Sequence, residues 1–135
     1  MAILVDTGIL YALADADDRW HEPARAWAED VSELLIAAVT VLPEVSYLLH
    51  TRLGAAAELA FVQSLAAGEL EVEELRRQDL TRSAEVMRRY PDIGFVDATV
   101  IAMAERLKID SVATTDRRHF MSVRPKHTKA FVLLP

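Results

Sequence analysis

The sequence predicts an α/β fold with a mainly parallel sheet, and three observations carry that expectation. Short, mostly apolar runs recur at residues 2–5, 34–39, 111–114 and 130–134, as expected of strands covered on both faces. Stretches with helical spacing separate most of them, which favours crossover connections over hairpins. Acidic or turn-forming residues stand where the runs stop, at Asp6-Thr7-Gly8 and Thr115-Asp116. A hydrophobic content of 52% over 135 residues supplies enough apolar surface for one core. With no internal repeat, low-complexity tract or linker, residues 1–135 read as one domain.

Taken in order, Ala2-Ile3-Leu4-Val5 is a buried strand that ends at Asp6-Thr7-Gly8, after which Ile9, Leu10 and Leu13 begin a helix. Asp15, Asp17 and Asp18 form a solvated acidic loop. His21 to Asp30 is a second helix, with Pro23 tolerated in its first turn. Leu34 to Val39 is the second strand. Thr40 is the expected N-cap of the helix that follows, with Pro43 in its first turn and Glu44 near its start. Gly54 ends that helix, and Ala55 to Ala67 forms another, closed by Gly68. Glu69 to Glu73 alternates like an edge strand. Asp79 to Tyr90 is amphipathic, with Leu80, Ala84 and Met87 expected inward and Arg82, Arg88 and Arg89 outward. Pro91 to Gly94 is a loop into a helix over Phe95 to Leu107. Ser111 to Thr114 is a strand, Arg117 to Lys129 mostly loop, and Ala130 to Leu134 a last strand.

Composition removes several functions. No cysteine is present, so disulfides and thiolate metal sites are excluded. Met1 to Val5 does not resemble a signal peptide, and the longest apolar run, Leu34 to Leu42, is too short to span a bilayer. A cytoplasmic location is the expectation. The net charge of −6 argues against a general nucleic-acid binder. Residues 117–129 nevertheless hold five Lys and Arg, two His and no acid.

Four acids share one feature. Asp6 and Asp116 each follow a strand, while Glu44 and Asp97 each sit near a helix start. In a parallel sheet the strand ends and the helices that follow them share one edge, where ligands bind. Asp97 alone reads most simply as a helix-capping acid; its company suggests more. Two charges 5 Å apart repel by about 3 kcal/mol at an effective dielectric near 20, so a carboxylate cluster calls for a cation. An all-oxygen donor set selects Mg²⁺ or Mn²⁺ over zinc, and such an ion suits phosphodiester hydrolysis.

The segments Ile3 to Gly8, Leu42-Pro43-Glu44-Val45, Gly94-Phe95-Val96-Asp97-Ala98 and Thr115-Asp116-Arg117-Arg118-His119-Phe120 resemble, in order, the motifs of PIN-domain nucleases. More narrowly they look like the VapC toxins of bacterial toxin–antitoxin pairs. The resemblance runs from residue 2 through Arg124-Pro125 to the C-terminal strand. It implies a three-layer α/β/α domain that cleaves RNA, tRNA or ribosomal RNA, with Mg²⁺ or Mn²⁺. By the same resemblance, Asp6, Glu44, Asp97 and Asp116 match the metal-binding acids, and Thr7 a hydroxyl position beside the first. A homodimer silenced by a cognate VapB-type antitoxin is also implied. Pro43, directly before Glu44, departs from the pattern.

Other residues carry plainer expectations. Arg117 and Arg118, beside Asp116, are placed to hold RNA phosphates. Trp20, Trp27 and Tyr47 read as core or subunit-interface residues, and Asp92 as structural. His21, His50, His119 and His127 lack the spacing of zinc ligands and are given no catalytic role. Two alternatives remain: a PIN-like RNA- or protein-binding module without catalysis, and an aspartic protease suggested by Asp6-Thr7-Gly8. The protease fold is all-β, whereas the residues after Gly8 turn helical.

Overall fold

A fully parallel five-stranded sheet forms the middle layer of the protein, in the order β3-β2-β1-β4-β5. The computed structural model describes residues 1–135. The strands are β1 (Ala2–Val5), β2 (Leu34–Ala38), β3 (Glu71–Glu73), β4 (Ser111–Ala113) and β5 (Val132–Leu134). Seven helices flank the sheet: α1 (Thr7–Ala14), α2 (His21–Asp30), α3 (Val41–Leu53), α4 (Ala55–Ala66), α5 (Arg77–Arg89), α6 (Phe95–Leu107) and α7 (Arg117–Ser122). The arrangement is the expected three-layer α/β/α, although α7 falls where a loop is expected. Its presence has a topological reason: β4 and β5 pair in parallel, so the chain must cross over between them and cannot return by a hairpin.

β1 lies at the centre, pairing with β2 on one side and β4 on the other, with Val5 opposite both Ala37 and Ala113. The first three strands are laid down in one direction and β4 is added on the opposite edge of β1. The winding therefore reverses between β1 and β4, and this reversal opens a crevice at their carboxyl ends. Leu4, Val5, Ile9, Val112 and Phe120 belong to the core at this level. α6 buries seven consecutive residues, Ala98 to Ala104, because it is covered on nearly all sides. Three of the seven are alanines, which let its neighbours approach closely.

α5 has helical periodicity, but its inward face differs from the expected one. Asp79, Ser83 and Val86 are buried, whereas Leu80 and Met87 are 44% and 38% exposed. The reason is ionic. Asp79 accepts from the Arg106 guanidinium of α6 at 2.9 and 3.0 Å, and from the Arg76 backbone N–H at 2.9 Å. Arg106 also pairs with Glu73 of β3 at 3.0 Å. Arg82, expected outward, meets Glu105 of α6 at 2.7 Å. Charged pairs thus set the phase of α5, leaving Leu80, Ala84 and Met87 on its outer side. Trp20 and Trp27 pack on the core as expected, but Tyr47 is 67% exposed and belongs to no core. No helix is long and apolar enough to cross a membrane.

Candidate active site

The crevice between the ends of β1 and β4 has a volume of about 470 Å³, and Asp6, Glu44, Asp97 and Asp116 all line it. Four segments far apart in sequence thus deliver one acid each, as their positions at strand ends and helix starts predict. No Lys or Arg lines the crevice, and none is paired with any of the four.

Asp6 is the best-fixed member. Directly after β1 it caps α1, its Oδ1 accepting from the Thr7 N–H at 2.8 Å. Its Oδ2 accepts from the Thr114 hydroxyl at 3.0 Å, and the Thr114 Oγ1 accepts in turn from the Asp116 N–H at 2.9 Å. Thr114 thus joins the ends of β1 and β4 and orients two acids at once. Burial, with Asp97 and Glu44 nearby, pushes the Asp6 carboxyl up to about 7, against the opposing hydrogen bonds from Thr7 and Thr114. Gly8 completes this corner, because a Cβ there would lie 2.0 Å from Thr115 Oγ1. A side chain at this position would have to push Thr115 aside, and glycine lets α1 start close to the loop after β4.

Asp97 occupies the third position of α6. The helix N-cap is Gly94, and no backbone N–H donates to the Asp97 carboxylate. The simple capping role is thereby excluded. Instead, Asp97 Oδ2 lies 2.8 Å from His119 Nδ1, which is also 3.0 Å from Asp116 Oδ2. Burial raises the Asp97 pKa above the ordinary carboxylate value, partly opposed by His119. The His119 pKa is raised chiefly by its bond to Asp97. His119, given no role from sequence spacing, is therefore the crevice's own basic group. It lies three residues after Asp116, on the same face once α7 is helical.

Glu44 is exposed and reaches the crevice from the first turn of α3. Pro43 does not deflect the helix, since first-turn N–H groups lack intrahelical partners in any case. Thr40 does not cap α3 with its side chain. The Thr99 hydroxyl donates to the Val96 carbonyl at 2.7 Å, so the Thr40 hydroxyl must donate to Thr99 Oγ1, 2.6 Å away. This pair clasps the start of α3 to the first turns of α6 and fixes the Glu44 helix against the Asp97 helix.

The donor set fits a divalent cation. Ligand atoms of Asp97, Asp116 and His119 lie within 4.8 Å of one another, and Asp6 and Glu44 face the same space. The Thr7 hydroxyl is buried without any hydrogen-bond partner, an orphan that a ligand or its bound water would satisfy. Carboxylate oxygens dominate, which suits a hard ion.

The two arginines after Asp116 diverge. Arg117 is half-buried, its guanidinium donating to the Pro135 carbonyl and lying 5.6 Å from the centre of the Trp20 ring. Arg118 is exposed and unpaired. Asp92 lies in an exposed turn outside the crevice. His21 and His127 bond to the Ala12 and Ile109 carbonyls, respectively.

Known proteins match this geometry along almost the whole chain. The PIN domain family model matches residues 3–124. Ribonuclease VapC26 of Mycobacterium tuberculosis is 31% identical over 135 residues, covering 98% of this chain and all of that protein. The crystal structure of VapC20 from the same organism, a sarcin–ricin loop cleaving toxin, superposes with a TM-score of 0.81 at 26% identity, covering 87% of this chain and 92% of that one. A DNA-bound VapBC complex from Salmonella typhimurium shares the fold, with a TM-score of 0.70 at 16% identity and coverage of 98% and 96%. With its four acids gathered at the β1/β4 crevice and these matches spanning its length, the chain belongs to the PIN domain family, in its VapC branch.

Proposed function

We propose that the protein is a Mg²⁺- or Mn²⁺-dependent endoribonuclease that acts, as one domain, as the toxin of a toxin–antitoxin pair. The observation that carries this reading is the meeting of Asp6, Glu44, Asp97 and Asp116 in one crevice without a single Lys or Arg partner. Four carboxylates with only His119 to offset them call for a cation. Asp6, Asp97, Asp116 and Glu44 would hold it, with the Thr7 hydroxyl beside them. When bound, the ion supplies Lewis acidity toward a phosphoryl oxygen and lowers the pKa of water.

The protein's own groups do the rest. The Thr114 bridge keeps Asp6 and Asp116 in fixed relation, and the Thr40–Thr99 clasp does so for the helices bearing Glu44 and Asp97. In hydrolysis the water oxygen bonds to phosphorus, one P–O ester bond breaks, and the leaving ribose oxygen gains a proton. Asp6, whose carboxyl is pushed up to about 7 by burial and by its acidic neighbours in the metal-free protein, is the acid whose charge a bound cation would do most to stabilise. His119, held through Nδ1, keeps Asp97 and Asp116 turned inward.

Ribosomal RNA is the favoured substrate class, with tRNA next. VapC20 is a sarcin–ricin loop cleaving toxin, and its likeness to this chain supports a structured RNA loop as the target. Two protein partners belong to this reading, a cognate VapB-type antitoxin and a second copy of the chain. Apolar surface supports the presence of partners: α4 buries none of its residues, and Leu59 and Val62 are 58% and 48% exposed.

The test is cleavage of total tRNA and ribosomal RNA by purified protein with Mg²⁺, Mn²⁺ or EDTA, beside Asp97→Asn. Discrete metal-dependent cuts that vanish in the variant are expected. Equal cutting by both proteins would point to a contaminating nuclease. No cutting together with no metal binding by calorimetry would overturn the reading in favour of a binding module.

A further inference from the structure

Phe95 is an exposed aromatic residue at the rim of the crevice. It is the first residue of α6, lines the acidic crevice two positions before Asp97, and is 46% exposed. It is not one of the buried residues of either apolar cluster, and it faces no other ring. The start of α6 is anchored without it, because Ile93 is buried in the core and Val96 packs against the core. A Cβ at the preceding Gly94 would meet nothing within 4 Å, so the rim beside Phe95 is open.

The charge of the crevice says what such a ring can do. Within the crevice a polyanion meets four acids and no Lys or Arg, and the exposed Arg118 stands outside its lining. Release of phosphate counter-ions, the usual source of nucleic-acid affinity, is weak under those conditions. Stacking of a base on an aromatic face does not depend on charge, and every base has such a face. Taking the ribonuclease reading as its basis, we propose that Phe95 is the substrate-binding platform on which the base next to the cleaved phosphodiester stacks. The stacked base brings its phosphate over the acids, so Phe95 governs which nucleotides can be cut.

The experiment uses the full chain and whichever RNA the wild-type protein cuts. Steady-state cleavage by wild type, Phe95→Ala and Phe95→Trp is measured on a short form of that RNA. A second substrate lacks the base beside the cut. Phe95→Ala is expected to raise KM about 5- to 150-fold, the range for losing one base–aromatic stack, with a smaller change in kcat. Phe95→Trp restores KM, and Tm is expected to change little because the residue is already 46% exposed. Removing the base penalises wild type by a similar factor and adds no further penalty in Phe95→Ala.

A KM within twofold of wild type in Phe95→Ala, or an equal abasic penalty in both proteins, would overturn the proposal while leaving the nuclease intact. A wild-type protein that neither cuts any of the RNAs nor binds metal would defeat the ribonuclease reading, and this proposal with it.

Discussion

Replacing Asp6 with Asn should make the metal-free protein more stable at alkaline pH. The Asp6 carboxyl rises from 3.8 to about 7 on folding, first through burial and then through the nearby Asp97 charge. A folded-state pKa above the unfolded one means the native protein holds the proton to higher pH. The stability associated with that proton is present below pH 4 and lost as pH rises through about 7. Relative to a permanently neutral group, Asp6 costs the native state about 4 kcal/mol at pH 8, where its carboxyl is ionised, and about 2 kcal/mol at pH 5, where folding must take up a proton. Asparagine stays neutral and retains the Thr7 bond through its carbonyl. Its amide nitrogen faces the Thr114 hydroxyl, a mismatch worth about 1 kcal/mol. The net gain is about 3 kcal/mol at pH 8, or roughly 10 °C in Tm for a domain of this size, shrinking to about 1 kcal/mol at pH 5. Thermal unfolding followed by circular dichroism in EDTA at the two pH values measures both. An Asn variant no more stable than wild type at pH 8, or a difference independent of pH, would refute the electrostatic argument.

The same logic predicts that Mn²⁺ raises the Tm of wild type and that Asp97→Asn largely removes the rise, a comparison for differential scanning calorimetry; equal shifts would place the ion elsewhere. Arg106→Ala leaves Asp79 buried beside an empty space and should destabilise by about 3–5 kcal/mol in urea titration; a loss under about 1 kcal/mol would mean that water replaces the guanidinium. Arg118→Ala should lower the salt slope of RNA binding by about one, whereas Arg117→Ala should lower stability and leave the slope alone. Equal slopes for the two variants would show that Arg117 leaves Trp20 and Pro135 to meet phosphate.

Sequence reading recovered the parts of this fold that depend on local pattern. β1, β2 and β4 are legible because strands buried on both faces read as apolar runs. The four acids are legible because each marks a strand end or a helix start. What escaped is set by partners far along the chain. The Thr114–Asp6 bond spans 108 positions and the Thr40–Thr99 contact 59, so nothing near Thr40 distinguishes it from an N-cap. His119 was hidden for another reason: α7 is six residues long, too short for periodicity to reveal. For α5 the period was legible and the phase was not. Apolar spacing selected Leu80 and Met87, but the ionic partners on α6 and β3 turned Asp79 inward instead.

The reversal of winding between β1 and β4 bears on how the protein is made. Asp6 leaves the ribosome well before Asp116, and the two meet only when β4 pairs with β1. At about 5–20 residues per second, synthesis keeps the parts of the crevice separated for seconds. A chain broken off before Ser111 carries three of the four acids but lacks the strand and threonine that bring the fourth into register. The crevice is therefore completed only after β4 has been made.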